Sequence, residues 1–190
     1  MLGIIILIVF AALIVLVLLM WVGYYNKFVV LSNRIKNSFS QIDVQLKKRA
    51  DLVPNLVETV KGYAKHEAGI MTEVTKAHKA LVSANASGNM STRVKAGDAL
   101  QNVLGRLIAL GEAYPNLKAN ENFLQLQNEL SAIEDKIAYA RQFYNDSILG
   151  FDNAVQTFPG NIFAGQNFKS QAGKYIQIPE AERQPVKVKF

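Results

Sequence analysis

Histidine and cysteine, which most metal sites and nucleophilic catalysts use, are scarce in this chain. The chain has no cysteine and two histidines, His66 and His78. A di-iron bundle needs Glu-x-x-His on two helices, but Tyr63 and Thr75 stand three residues before the two histidines. The His-Glu-x-x-His zinc pattern is also absent, because Ile70 occupies the position of its second histidine. We therefore predict no catalytic residue, no bound metal and no cofactor.

A row of polar side chains follows the longest amphipathic segment, beside its apolar face. Gln127, Glu134 and Arg141 are seven residues apart, and Asn145 follows four residues later. Residues with this spacing flank the contact between packed helices, where side chains reach a neighbouring helix. The row predicts interhelical ion pairs that set the register of the helices. The alternative is a functional pocket.

Acidic residues elsewhere offer partners for the arginines. Glu67 and Glu112 are candidates for pairing with Arg49 or Arg141, and the sequence leaves the pairing open. The complete set of candidate interhelical or interaction residues is Arg49, Asp51, His66, Glu67, Glu112, Glu134, Arg141 and Asn145. An enzyme or a lipid- or metal-binding domain would use a polar pocket near Arg49, His66, Glu134 and Arg141. Burial discriminates between interhelical contacts and a ligand site. Interhelical contacts bury the polar groups against their partners, whereas a site leaves them facing an open pocket.

The spacing of apolar residues predicts four helical segments, at about residues 27–49, 52–82, 92–113 and 120–157. Asn120 is the predicted N-cap of the last segment, and Ser91 or Thr92 that of the segment before it. Between the first two segments, Asp51 is a suitable N-cap and Pro54 fits a first turn, whereas Pro54 inside a helix would cost about 3 kcal/mol. We therefore expect two helices to meet there, at a kink or at a reversal.

The start of the chain has the composition of a membrane anchor. Residues 1–26 carry no charged side chain. As a helix, residues 2–25 would span roughly 36 Å, enough to cross a hydrocarbon core of about 30 Å. Trp21, Tyr24 and Tyr25 close the run, where such rings suit a membrane interface. We predict a transmembrane anchor, because the rival reading, a cleaved secretory signal, would need a basic first region and a small-residue cleavage site.

Charge predicts the topology and the class of partner. Basic residues begin at Lys27 and continue with Arg34 and Lys36, so the positive-inside rule predicts an outside amino terminus and a cytoplasmic domain. The net charge is +6, but Lys and Arg alternate with Glu and Asp along the chain. This distribution favours a solvated helical surface near an anionic membrane over binding of nucleic acid. The lipid bilayer is the predicted partner.

The fold class predicted from these segments is all-α. It comprises a transmembrane helix at 1–26, an antiparallel four-helix bundle-like domain at 27–159 and a mostly irregular C-terminal tail at 160–190. The tail prediction rests on Gly165, Gly173, Pro179 and Pro185.

The length of the last helix predicts self-association. It is about 38 residues long against about 22 for the segment before it, so part of its apolar face needs another surface. This part comprises Ile148, Phe151, Val155 and Phe158. We predict a homo-oligomer in which an adjacent subunit covers it. The alternative is intramolecular covering by Phe28, Leu31 and Ile35 or by Phe163 and Phe168.

Several motifs together resemble the bacterial LemA family. The resemblance extends over residues 25–161, and the end of the chain, 185–190, is also similar to the family's terminus. The matching segments are Tyr25-Asn26, residues 46–57, Val60-Lys61-Gly62-Tyr63, His66-Glu67, residues 112–118, residues 123–130, Glu134, Ala140-Arg141, Tyr144-Asn145 and Phe158-Pro159. His78 departs from the arginine usual at that position, and Gln166-Asn167-Phe168 departs from a more aromatic tail motif.

The resemblance implies a single-pass bacterial membrane protein with a four-helix soluble domain. The predicted location is the cell (inner) membrane. The family has no established reaction, cofactor or catalytic residue set, so the resemblance implies no activity. The predicted function is a membrane-anchored interaction or scaffold protein that assembles through its helices, with copies of itself or with other membrane proteins. The alternative is the enzyme or ligand-binding domain described above.

Overall fold

The computed structural model describes residues 1–86 and 88–177, and within these ranges it contains helices and no strand. The helices are α1 (Leu2–Tyr63), α2 (Ala68–Ala86), α3 (Met90–Ala113), α4 (Pro115–Lys118), α5 (Glu121–Gln156), α6 (Gly160–Phe163) and α7 (Gln166–Lys169). The all-α class with a long apolar N-terminal helix is thus confirmed. The predictions that concern Pro179, Pro185 and residues 185–190 lie outside the described residues.

Helix α1 passes through Pro54 without a break, which corrects the expected boundary at residues 49–52. The first turn after α1 instead lies at 64–67, where the Glu67 amide donates to the Ala64 carbonyl at 3.1 Å. Val53, Leu56 and Val60 are all buried close to Pro54. Burying each such side chain stabilises the fold by about 1.5–3 kcal/mol, and together they outweigh the roughly 3 kcal/mol that a helical proline costs.

The chain forms two compact units, and their division differs from the expected single domain at 27–159. The first unit contains Met1–Phe39 and the chain from Arg141 onward, and the second unit is Ser40–Ala140. Helices α1 and α5 each contribute one part to each unit.

The second unit is built on one apolar core to which four long helical segments contribute. From α1 come Val53, Leu56 and Val60, and from α2 come Val74 and Leu81. The remaining large members are Leu100, Leu104 and Leu107 of α3, Leu117 of α4, and Phe123 and Leu130 of α5. Within each long helix these residues are three, four or seven positions apart, which places them on one buried face.

Side-chain caps fix where two of these helices begin. Asn89 is the N-cap of α3 and accepts a hydrogen bond from the Thr92 amide at 3.2 Å, which corrects the expected cap at Ser91 or Thr92. Asn120 accepts from the Phe123 amide at 2.9 Å, in the role predicted for it.

In the first unit the apolar end of α5 is covered from within the same chain. Ile148, Phe151 and Val155 are buried. The Phe168 ring of α7 lies 6.4 Å from the Phe151 ring and 5.3 Å from the Phe28 ring. The intramolecular alternative is therefore the correct one for these residues. The tail is also less irregular than expected, because residues 160–169 contain α6 and α7.

The beginning of α1 has a different environment. It is long and apolar enough to cross a membrane, and its most apolar window has no buried residue. Side chains such as Ile8 and Leu16 are more than half exposed, at 60% and 57%. A helix of this kind fits a membrane protein.

Candidate functional site

The polar centre of the second unit is Arg49 on α1, whose side chain is completely buried. Its Nη1 donates to the Gly97 carbonyl oxygen of α3 at 2.8 Å, and its Nη2 donates to Glu134 Oε2 of α5. A buried charge needs an opposite charge and further hydrogen bonds to offset its lost hydration. One guanidinium thus links three helices and fixes their relative register.

The absence of a side chain at Gly97 allows this close packing. A Cβ built there would lie 2.6 Å from Leu46 Cδ2 and 3.7 Å from Arg49 Nη1. The missing side chain therefore lets Leu46 and the guanidinium approach the α3 backbone. Gly97 lies on the buried face of α3, between Val94 and Leu100.

A second ion pair joins α1 and α3 nearby, between Arg93 Nη1 and Asp43 Oδ2. Both side chains are partly buried, at 17% and 29% exposure. Burial raises the pKa of Asp43 above its ordinary value of 3.8, against the opposing effects of the Arg93 charge and hydrogen bond. The pair adds to the register of α1 and α3 more than to net stability.

The other predicted site residues of this unit do not join Arg49. Glu67 accepts a hydrogen bond from the Tyr114 hydroxyl at 3.2 Å, and Asp51 forms an exposed ion pair with Lys47 at 3.0 Å. Burial and the Glu67 hydrogen bond raise the pKa of Tyr114. His66 and Glu112 are exposed. Of the predicted candidates, the structure therefore brings together Arg49 and Glu134.

The crevice beside Arg49 is too small to hold a water molecule. Its walls are Leu52, Val53, Leu56, Leu104, Leu126 and Leu130, so they are apolar. His66 is not among them, and Arg141 belongs to the first unit. No cluster of three or more metal-ligating side chains occurs within residues 1–86 and 88–177. Arg49 therefore has the environment of a structural residue and not that of a group facing a ligand.

In the first unit, polar side chains of α5 hold the backbone of the chain after α7. Asn145 donates to the Ile176 carbonyl and accepts from the Ile176 amide, each at 3.0 Å. The Tyr144 hydroxyl donates to the Lys174 carbonyl at 3.0 Å. Asn145 was predicted to face a neighbouring helix and instead binds this extended segment.

Asp152 extends the same set of contacts. Its carboxylate is 7% exposed and accepts from the Gly173 amide at 3.0 Å and from the Tyr175 hydroxyl at 2.9 Å. Burial and the nearby carboxylate raise the pKa of Tyr175. These side chains fix residues 173–176 on α5.

Sequence reasoning missed Asp152, Gly97 and the pair of Asp43 with Arg93. Asp152 carried a usable signal, because it lies four residues after Ile148 on the apolar face of α5 and a carboxylate there needs a buried donor. Gly97 carried another, since it interrupts a helix without ending it. Asp43 and Arg93 carried none, since their separation in sequence does not specify a contact.

Several known proteins are similar to this chain in sequence. Protein LemA of Metamycoplasma hominis is 27% identical over 163 residues, which cover 86% of this chain and 73% of that protein. Magnetosome protein MamQ of Magnetospirillum gryphiswaldense is 26% identical over 163 residues, covering 74% of this chain and 60% of that protein. Magnetosome protein MamQ 2 of Paramagnetospirillum magneticum is 27% identical with the same coverage. This chain thus spans less than two thirds of the length of the MamQ proteins.

The model of the LemA family matches residues 38–190, which include both ion pairs and the α5 side chains that hold the tail. Since this match covers most of the chain, the protein belongs to the LemA family.

Proposed function

We propose that this protein is a membrane-anchored helical scaffold that assembles through its helices and has no catalytic site. The observation that carries the proposal is the complete burial of Arg49 against Gly97 and Glu134. This buried guanidinium holds three helices together. The names of the MamQ relatives, which refer to the magnetosome, support a role within a larger cellular assembly.

The proposed location is the inner membrane, with the amino terminus outside and the chain that follows the apolar segment of α1 in the cytoplasm. Lys27, Arg34 and Lys36 follow the apolar segment of α1, which supports this orientation. Single cysteines test it, because the native chain has none. In intact cells an impermeant thiol reagent should label Gly3→Cys and should not label Lys79→Cys. The reverse pattern would overturn the orientation.

The proposed partners are further copies of this chain or other membrane proteins. Phe151 and Val155 are buried within the first unit, so the assembly surface must use other side chains. Val30 and Leu149, at 65% and 51% exposure, are apolar residues of that unit available for such contacts.

Mass measurement tests the assembly directly. The full chain is extracted in several mild detergents and in native-lipid nanodiscs, and its mass and co-purifying proteins are determined. We expect a complex larger than one chain that Val30→Ser or Leu149→Ser weakens, whereas Lys36→Ser serves as an exposed control without effect. A monomer in every condition, with no stoichiometric partner, contradicts the scaffold proposal.

A further inference from the structure

The segment that follows α5 has no charged side chain between Asp152 and Lys169. After the start of α1 this is the longest stretch of the chain without a charged side chain, and the next longest is residues 80–92. The run contains Phe158, Ile162, Phe163 and Phe168. Its composition suits an environment between water and hydrocarbon.

Contacts within the first unit place α6 beside the end of the apolar segment. The Phe163 ring stacks on the Tyr24 ring, with centroids 5.4 Å apart and planes at 13°. A Cβ on the buried Gly160 would lie 3.4 Å from the Tyr24 ring and would collide with the Ala154 carbonyl oxygen. Tyr24 lies three residues before Lys27, the first charged side chain. Helix α6 is therefore held at the level where α1 would leave the bilayer.

Two large apolar side chains of this region point away from the first unit. Phe158 is 79% exposed and Ile162 is 67% exposed, although their neighbours Gly160 and Phe163 pack against Tyr24. A folded protein seldom leaves two large apolar side chains so exposed this close together without a partner.

We propose that Phe158 and Ile162 insert into the interfacial region of the bilayer, on the side where α1 emerges. The lipid surface is the occupant because these residues adjoin the apolar segment through Tyr24 and lie in a run without charge. Lys27 follows the apolar segment of α1 and Lys169 ends the neutral run, and both charges favour anionic headgroups. The first unit then touches the membrane at a second place besides α1. This inference rests on the membrane anchoring proposed above.

Tryptophan fluorescence tests the depth of this region in the complete protein. The native chain has one tryptophan, Trp21, which reports on the anchor. In a Trp21→Phe background, Phe158→Trp supplies the probe and Phe143→Trp supplies a matched control. Phe143 contacts Arg34 at 5.0 Å, and Arg34 lies ten residues beyond Tyr24 on α1, roughly 15 Å away along the helix.

The full chain is reconstituted in vesicles of phosphatidylcholine and phosphatidylglycerol, with or without lipids brominated near the headgroup end of the acyl chain. We expect Phe158→Trp to emit at shorter wavelength than Phe143→Trp and to be quenched by brominated lipid to an extent comparable with Trp21. Ile162→Trp should behave as Phe158→Trp does. Circular dichroism of each variant confirms that its helix content is native.

The outcomes separate this inference from the anchoring on which it rests. If brominated lipid fails to quench Trp21, the anchoring itself is wrong. If Trp21 is quenched while Phe158→Trp matches Phe143→Trp, α6 does not contact lipid and the inference is overturned. A third outcome is short-wavelength emission from Phe158→Trp that brominated lipid does not quench and that shifts on dilution with excess lipid. This result would assign the surface to a second copy of the chain and would also overturn the inference.

Discussion

The ion pair of Arg49 and Glu134 yields an asymmetric prediction, because its two members differ in burial. The Arg49 side chain has 0% exposure and the Glu134 side chain has 25%. Removing the carboxylate leaves a guanidinium that water cannot reach, whereas removing the guanidinium leaves a carboxylate that water can partly hydrate. We therefore expect Glu134→Leu to destabilise the second unit more than Arg49→Met does.

The magnitude follows from the cost of breaking a buried ion pair. Removing one partner of a buried pair costs about 3–5 kcal/mol, which we assign to Glu134→Leu. Arg49→Met keeps an apolar stem in the core and leaves a partly hydrated carboxylate, so we expect about 1–3 kcal/mol. The double variant replaces the pair by apolar side chains, which is often close to neutral. It should therefore be more stable than Glu134→Leu alone.

Native-state hydrogen exchange of the detergent-solubilised chain measures these effects locally. Amides around Arg49 in α1 and Gly97 in α3 report the opening of the core. A loss of about 3 kcal/mol should accelerate their exchange at least about a hundredfold. Glu129→Leu is the matched control, since Glu129 is an exposed residue of the same helix. Equal effects of Glu134→Leu and Glu129→Leu, or a larger effect of Arg49→Met, would refute the reasoning.

Two further predictions concern single side chains. Gly97→Ala should destabilise the protein by about 1–3 kcal/mol because its methyl group meets Leu46. Gly105→Ala in the same helix should stabilise it by about 0.5–1 kcal/mol, because no atom lies within 4 Å of the added Cβ. Denaturant unfolding measures both free energies, and equal effects would contradict the packing argument. Burial raises the pKa of Tyr144 above its ordinary value of 10.0, so the stability that this residue contributes is present below pH 10.0 and is lost as pH rises through the raised pKa. Tyr144→Phe should cost about 1 kcal/mol of stability at neutral pH and should reduce the loss at alkaline pH. Tyr139→Phe, at an exposed position, is the control and should have neither effect. The free energy of unfolding measured against pH tests this, and an unchanged alkaline loss in Tyr144→Phe would contradict the role given to Tyr144.

The helical class was predictable because apolar residues recur at steps of three and four along α3 and α5. The polar row beside that face includes Glu134, which pairs with Arg49, but the choice of Glu134 over Glu67 or Glu112 depends on tertiary geometry. The expected break at Pro54 was wrong because local propensity cannot weigh the burial of Val53 and Leu56 on either side of it.

The tail shows a different limit of sequence reasoning. Glycines near α7 predicted irregular structure, and residues 173–176 are indeed not helical. Their position on α5 comes from side-chain bonds to backbone groups of Gly173, Lys174 and Ile176. Backbone groups are the same at every residue, so the sequence of residues 173–176 does not indicate these bonds. Only the side chains of Tyr144, Asn145 and Asp152 could have indicated them.

Helix α1 is continuous from its apolar segment into the packed part of the first unit, where Tyr24 contacts Phe163 and Phe28 contacts Phe168. No loop separates the two, so the angle that the proposed membrane anchor makes with the bilayer normal is passed on to the packed part of the first unit. A helix longer than the local hydrocarbon thickness relieves the mismatch by tilting. In a thinner bilayer the first unit would therefore lean together with α1, and the orientation of the protein would report the thickness of the membrane around it.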